Sequence, residues 1–411
     1  MVQRPGQMST KETWVELSEL DRFNSLPDEL LLHIMCFLMA RQAVQTCILS
    51  KRWKNLWRYL PCLNFDTQEF KYAKSFIRFI TSFPNFRSIS HIVTFRLDSY
   101  QFDGCWGWAN MIDDCLEAAR SLITRVIESR LRVLSIAYSS CNGIDFHYVY
   151  TCAFVEEMNL HCILVPHEKP IALVNLKRLN LSGANLDGKS VKNLISGCPV
   201  LEDLVLEKCF FQFPNVTIIS HTLKNLSIHG FESRNEVEIH LSVPSLVSLH
   251  LTRVRLGCIS LKNMSSLVHA HIDFCFEVCA NYQNSTNELL KGLSHAAYIE
   301  LTGSRILKSD LWLIKESPVK DLLVKELPNC PAFANLKSLY LTGLNVCNFI
   351  SPISHFVHIS PNLETLTFGN EEMMISGTDA FTASATGNAV FLVGSMPVTI
   401  QFAQADSNAN V

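Results

Sequence analysis

Histidine is the residue type whose placement first points to chemistry. His250, His269 and His271 lie close together in the chain, Asp273 follows, and His229 precedes them. Imidazole and carboxylate groups ligate zinc and similar divalent metals, and imidazole changes charge near neutral pH. Histidine is also an ordinary polar residue for a surface that meets a protein partner, and that third reading is preferred, so no metal or other cofactor is expected. Cys275 and Cys279 stand nearby, but their spacing fits no standard zinc motif. The chain has no GxSxG, no HExxH and no phosphate-binding glycine loop. It is expected to perform no bond chemistry itself.

A second stretch, "LSKRWKNLW" from Leu49 to Trp57, sets Trp53 and Trp57 among Lys51, Arg52 and Lys54, with Arg58 next. Rings alternating with cations are what a nucleic-acid groove uses for stacking and phosphate contact. The whole-chain balance argues against that use. Lys+Arg is 35 against Asp+Glu 38, a net charge of −3, where a phosphate-binding domain usually carries a basic surplus. No nucleic-acid partner is expected.

The elements that hold these residues follow from apolar spacing. Pro27 suits a first helical turn, and Asp28 and Glu29 complement the positive end of the helix. Leu30, Ile34, Phe37 and Leu38 then share a face at spacings of three and four. A second helix is predicted from about Arg41 to Ile48. A third is capped by Ser50 and carries Leu49, Trp53, Leu56, Trp57 and Leu60 on one side. Lys51, Lys54 and Arg58 face the other way, as a solvated face. Three helices this short cannot bury both tryptophans and the first stripe internally, so the surplus apolar surface implies a partner.

"LPDELLLHIMCFL", "AVQTCILSKRWKNLW" and "LPCLNFD" occur in that order, and together they resemble the F-box of plant F-box proteins with leucine-rich repeats. The resemblance covers roughly Asp21 to Asp66. It implies docking onto the Skp adaptor of a cullin-based ubiquitin ligase. Carried over by position, it assigns adaptor contacts to Leu26, Pro27, Leu30, Ile34, Leu38, Val44, Leu49 and Trp53. The turn Met39 to Gln42, "MARQ", departs from the family, which often has a Pro or Ser and an acidic residue there, so the second helix is expected to be weakly capped.

From about residue 90 the template L-x-x-L-x-L recurs, the strand of a leucine-rich repeat. Clear copies start at Leu176, Leu201, Leu223, Leu246 and Leu267, and again at Leu336 and Leu363; counted from a looser copy at Val155, the spacings to Leu267 are 21, 25, 22, 23 and 21. Looser copies start at Ile92, Leu131 and Ala296, and a doubtful one at Val319. One repeat cannot bury its leucines alone; stacked neighbours do so. The predicted fold is therefore α/β: a small N-terminal three-helix F-box, then a leucine-rich-repeat solenoid with a parallel sheet on its concave face and short helices and loops behind.

Side chains alternate along a strand, so template positions three, five and seven face the concave side. Arg178, Asp203 and His269 take position three; Asn180, His250, His271 and Tyr340 take position five. These seven residues are the candidate substrate-binding set. His250 and His271 sit on adjacent strands, about 5 Å apart. These positions are polar and mixed in charge, which fits protein recognition better than a phosphate groove. Position nine is Cys209 in one repeat and Cys275 in another, giving both a packing role in the turn.

The expected organisation is a flexible N-terminus (1–20), the F-box (21–66), the solenoid (67–370) and an irregular or disordered tail (371–411) that has no leucine period. No apolar run reaches the roughly 20 residues of a membrane helix, and no signal peptide is expected at the N-terminus. The fifteen cysteines are expected to be reduced thiols, in the cytoplasm or nucleus. The expected role is a substrate-recognition subunit: the F-box binds the Skp adaptor, and through it a cullin, while the repeats hold a protein substrate. The alternative is a scaffold or regulatory repeat protein whose F-box recruits no ligase. A small molecule bound by the solenoid is a third possibility that no residue favours.

Overall fold

The computed structural model describes residues 23, 25–89, 91–99, 112–138, 144–211, 215–230, 238–256, 258–278, 289–303, 318–342, 350–368, 389–393 and 396–402. The chain forms two compact units, divided between Ser135 and Ile136. Among the described residues no helix is long and apolar enough to cross a membrane.

The first unit opens with α1 (Asp28–Met35), α2 (Ala40–Gln45) and α3 (Trp53–Leu56). Single 3-10 turns extend α2 over Thr46–Ile48 and α3 over Trp57–Tyr59. Strand β1 (Cys62–Asp66), helix α4 (Ala73–Ser82), strand β2 (Thr94–Ser99), helix α5 (Ile112–Ile127) and the start of β3 (Val133–Tyr138) complete it. β1 pairs with β2 in parallel, Leu63 opposite Phe95 and Phe65 opposite Leu97. Leu60, Leu63 and Phe65 are buried and repeat the spacing of the leucine template, so the first repeat begins inside the F-box. Phe65, Phe79 and Phe83 form a ring cluster with centroids 5.3–6.1 Å apart, an edge-to-face range that suits aromatic quadrupoles. Arg87 threads this core, donating to the carbonyls of Leu60 at 2.7 Å and Trp57 at 3.4 Å.

Ser50 does not cap the third helix. α3 starts at Trp53, its N-cap residue is Arg52, and no side chain caps it. The α2 turn is thinly capped, as its sequence predicts. Met39 gives no side-chain bond, and its N–H reaches Gln42 Oε1 at 3.3 Å.

The second unit carries the repeats. Its strands are β4 (Glu157–His161), β5 (Arg178–Ser182), β6 (Asn185–Leu186), β7 (Asp203–Glu207), β8 (Phe210–Phe211), β9 (Asn215–Ile219) and β10 (Asn225–His229). They continue with β11 (Glu238–Ser242), β12 (Ser248–Leu256), β13 (Ile259–Lys262), β14 (His269–Val278) and β15 (Tyr298–Gly303). Last come β16 (Ser338–Leu341), β17 (Thr365–Phe368), β18 (Ala389–Val393) and β19 (Met396–Phe402). In the main sheet β4, β5, β7, β10, β12, β14, β15, β16, β17 and β19 lie side by side in parallel, and β18 closes the edge antiparallel to β19.

Each strand begins two residues after its template leucine, and the pairing register superposes the template. Leu179 meets Leu204, Leu204 meets Leu226, and Leu226 meets Leu249. These leucines are buried within 1% of completely, and burying each contributes roughly 2–3 kcal/mol. Behind the sheet, α6 (Gly188–Gly197) starts at a reciprocal cap: Ser190 N–H donates to Asp187 Oδ1 at 2.6 Å and Asp187 N–H to Ser190 Oγ at 2.9 Å. Helices α7 (Leu289–Gly292), α8 (Pro318–Glu326) and α9 (Ile350–His358) follow.

Three findings depart from the sequence reading. The doubtful strand at Val319 lies within α8; Val319, Leu322 and Leu323 are buried, a helical spacing that the strand template also tolerates. The backs of three repeats are strands rather than short helices: β9, β11 and β13 form a second parallel sheet. Their segments "NVTII", "EIHLS" and "ISLK" alternate apolar residues with a period of two, and Val216, Ile218, Ile239 and Leu241 are buried. Within the tail, expected to be irregular, β19 adds to β17 with Leu366 opposite Ile400; "MPVTIQF" and "AVFLV" carry β-branched and aromatic residues that favour strands. Residues 1–22, 369–388 and 403–411 lie outside the described set.

The turns after the strands share one conformation. Cys162, Gly183, Lys208, Gly230 and Arg253, template position eight of five successive repeats, all have φ between 48° and 64°. The N–H groups of the first four form a relay. Cys162 donates to Ser182 O at 2.8 Å, Gly183 to Glu207 O at 2.9 Å, Lys208 to His229 O at 2.7 Å and Gly230 to Thr252 O at 3.2 Å.

Candidate functional site

Helix α1 is apolar on two sides. Leu31 and Met35 are fully buried, whereas Leu30 is 49% exposed, Ile34 38% and Phe37 76%. Leu30 and Ile34 share the outward side of the helix at i and i+4, and Phe37, in the turn just past its end, is exposed as well. Ile48 (84% exposed) and Leu49 lie uncovered on the turn before α3, and Pro27 is exposed at the start of α1. Leu26, Leu38 and Val44 are half-buried. Trp53 corrects the expected contact set: it is 6% exposed and packs edge-on to Phe23 at 6.5 Å. As the inward residue of a short helix it belongs to the core, while Ile48 and Phe37, absent from that set, are outside. Their apolarity on an otherwise exposed turn was the available signal.

Arg52 fixes the geometry of this face. Its guanidinium donates to Asp28 Oδ1 at 2.5 and 2.8 Å and to the Leu26 carbonyl at 2.5 Å, so the Leu-Pro-Asp entry is tied to the start of α3. Asn64 on β1 donates to the Cys36 and Leu38 carbonyls at 2.9 and 3.3 Å, holding the end of α1. Lys51, Lys54 and Arg58 are exposed and Trp57 is buried, so the "LSKRWKNLW" rings present no stacking platform.

On the repeat unit the predicted concave residues divide into two groups. Arg178 reaches Glu157 at 2.7 Å, Asn180 lies beside it on β5, and Asp203 Oδ1 accepts from Asn225 Nδ2 at 2.5 Å. His250, His269, His271 and Tyr340 come together further along. The His250 ring stands edge-on between His229 and His271, at 4.8 and 4.3 Å. Burial, then the neighbouring His271 and His229, lowers the pKa of His250 and favours its neutral ring. His271 Nδ1 lies 2.8 Å from Glu300 Oε2, and His269 stacks on Tyr298 at 4.7 Å and 9°.

These groups line a cavity of about 240 Å³ across β12 to β16. Tyr298 and Glu300 were missed. Both sit in the looser copy at Ala296, at positions three and five, where the same alternation rule places them. Among the described residues no three His, Cys, Asp or Glu side chains converge as a metal site would need.

Cys209 takes its expected place: buried, with its thiol reaching Leu181 O at 3.4 Å, and burial raises its pKa to about 11. Cys275 is half-buried and outside any disulfide, Cys279 lies outside the described residues, and Cys258 is disulfide-bonded, unlike the reduced thiols expected.

A helical module with an exposed apolar stripe, joined in sequence to stacked leucine repeats with a polar concave face, is the architecture of an F-box followed by leucine-rich repeats. Comparison with known proteins agrees. The F-box domain model matches residues 23–65, and the repeat model described as "FBD-associated F-box protein At5g56370, LRR repeats" matches residues 125–272. The chain is 29% identical over 370 residues to the F-box/FBD/LRR-repeat protein At1g78750 of Arabidopsis thaliana, covering 86% of this chain and 78% of that protein. It is 27% identical over 365 residues to F-box/LRR-repeat protein 13 of the same plant, covering 85% and 76%. The chain belongs to the plant F-box/leucine-rich-repeat proteins, a family generally of non-catalytic adaptors of ubiquitin ligases.

Proposed function

We propose that this chain is the substrate-recognition subunit of a Skp–cullin–F-box ubiquitin ligase. The F-box binds the Skp adaptor through Leu30, Ile34, Phe37, Ile48 and Leu49, and the repeats bind a protein substrate on their concave face. Its mechanism is proximity: holding substrate beside the ubiquitin-carrying enzyme raises the effective concentration of target lysines. The observation that carries the reading is the match of residues 23–65 to the F-box together with the uncovered Leu30, Ile34 and Phe37 side chains. An apolar stripe left open beside a fully buried inner face fits a partner better than a solvated surface.

The test replaces Leu30 and Ile34 together by Asp. Both side chains are already half-exposed, so the unit stays folded, while a charge pair at an apolar interface is strongly unfavourable. Co-purification of the Skp adaptor is expected to fall to background with an unchanged melting temperature. Full adaptor binding by the folded double variant would favour a repeat scaffold that recruits no ligase.

A further inference from the structure

The concave cavity of the repeats has a composition that selects for one kind of ligand. Glu300 lies between two rings in the pairing register, His271 on β14 and Tyr340 on β16. Tyr298 stands two residues before Glu300 on the same face of β15, backed by its stack on His269. His271 holds one carboxylate oxygen of Glu300 at 2.8 Å, yet 42% of the Glu300 side chain remains exposed. A carboxylate flanked by ring faces attracts a cation twice, by charge and by the ring quadrupoles.

The surrounding face points the same way. At positions three, five and seven of β4 to β17 the described residues include five carboxylates, Glu157, Asp203, Glu207, Asp273 and Glu300. The one guanidinium there, Arg178, is taken up by Glu157. The mixed charge expected from the sequence is therefore an acidic excess, because two of the five acids belong to repeats whose concave positions the sequence reading left out. The cavity, about 240 Å³, is smaller than the pockets of roughly 300 Å³ or more that take drug-sized ligands, a size that suits a single long side chain.

We infer that this cavity receives the lysine or arginine side chain of a basic segment of a protein partner, laid across β14 to β16. The inference rests on the proposed role of the repeats as the substrate-binding end and names the chemistry of that substrate. The basic segment lies along the acidic face, its anchoring cation between Tyr298 and Tyr340 with the ammonium or guanidinium against Glu300.

The experiment uses the full chain co-purified with the Skp adaptor. Three fluorescein-labelled heptapeptides alternate Gly with Lys, Arg or Glu, and binding is followed by fluorescence anisotropy. The Lys and Arg peptides are expected to bind and the Glu peptide not. Glu300→Gln is expected to weaken basic-peptide binding about ten-fold, the scale of one charge-assisted contact. Tyr298→Ala serves as a second variant at an exposed ring and is expected to weaken it several-fold. Glu238→Gln on β11, in the second sheet, is expected to change affinity less than two-fold. No binding of the basic peptides, equal binding of the Glu peptide, or an equal loss in Glu238→Gln would overturn the inference. Adaptor content measured on the same preparations separates the two readings: unchanged adaptor with lost peptide binding bears on the cavity alone, whereas an absent adaptor bears on the ligase role alone.

Discussion

At Trp53 an aromatic ring and its basic neighbours divide the work of one short helix. The ring is buried against Phe23 and the core, while Lys51, Lys54 and Arg58 project into solvent. Trp53→Ala leaves a large cavity, so it is expected to destabilise the first unit by about 3–5 kcal/mol, seen as an early melting transition and loss of adaptor in a pull-down. Replacing Lys51, Lys54 and Arg58 together by Gln is expected to move stability by less than about 1 kcal/mol, since exposed charges contribute little. A salt-sensitive oligonucleotide affinity lost in the triple variant would speak instead for a nucleic-acid role. Sidedness at this helix was legible because tryptophan and lysine differ in period as well as in polarity. The outward residues were not all legible: Ile48 and Trp53 are both apolar, and only the position of the core tells which one faces inward.

At the level of the element, the position-eight turn limits which residues the repeats tolerate. Left-handed backbone costs a residue with a Cβ about 1–2 kcal/mol, yet Cys162, Lys208 and Arg253 adopt it beside Gly183 and Gly230. At Cys162 and Lys208 the N–H bonds to the next repeat's carbonyls offset that cost. At Gly183 a Cβ would lie 2.9 Å from Cys162 Sγ, whereas at Gly230 the nearest atom is Lys208 Cγ at 3.5 Å. Gly183→Ala is therefore expected to lower stability by about 2 kcal/mol and Gly230→Ala by about 1 kcal/mol, a difference that urea denaturation of the two variants resolves. The sequence displayed the repeats clearly where Leu stands at positions one, four and six. It hid the second sheet, because a run such as "NVTII" is too short to announce its period. The tail strands were hidden by surroundings rich in Ser, Ala, Thr and Asn.

For the molecule as a whole, the repeat unit is joined neighbour to neighbour. Each strand of the main sheet pairs only with the strands beside it, and the position-eight relay follows the same rule. The sections carrying β9, β11 and β13 differ, because two ladders run through them at once. Under tension applied to the C-terminal end, as in an optical trap, such a chain should yield like a closure with a reinforced middle. Strands on the C-terminal side of the doubled section release singly, each freeing the chain between template starts at 267, 296, 336 and 363, roughly 90–140 Å when extended. The doubled section then resists until both ladders part, and it lets go as one longer extension at higher force. A force trace of uniform steps from end to end would mean that the second sheet adds no mechanical strength. The expected trace instead places the long, strong event at the strands from β7 to β12, which reach into one edge of the cavity, so a partner pulled from that edge would meet the stiffest part of the repeat array.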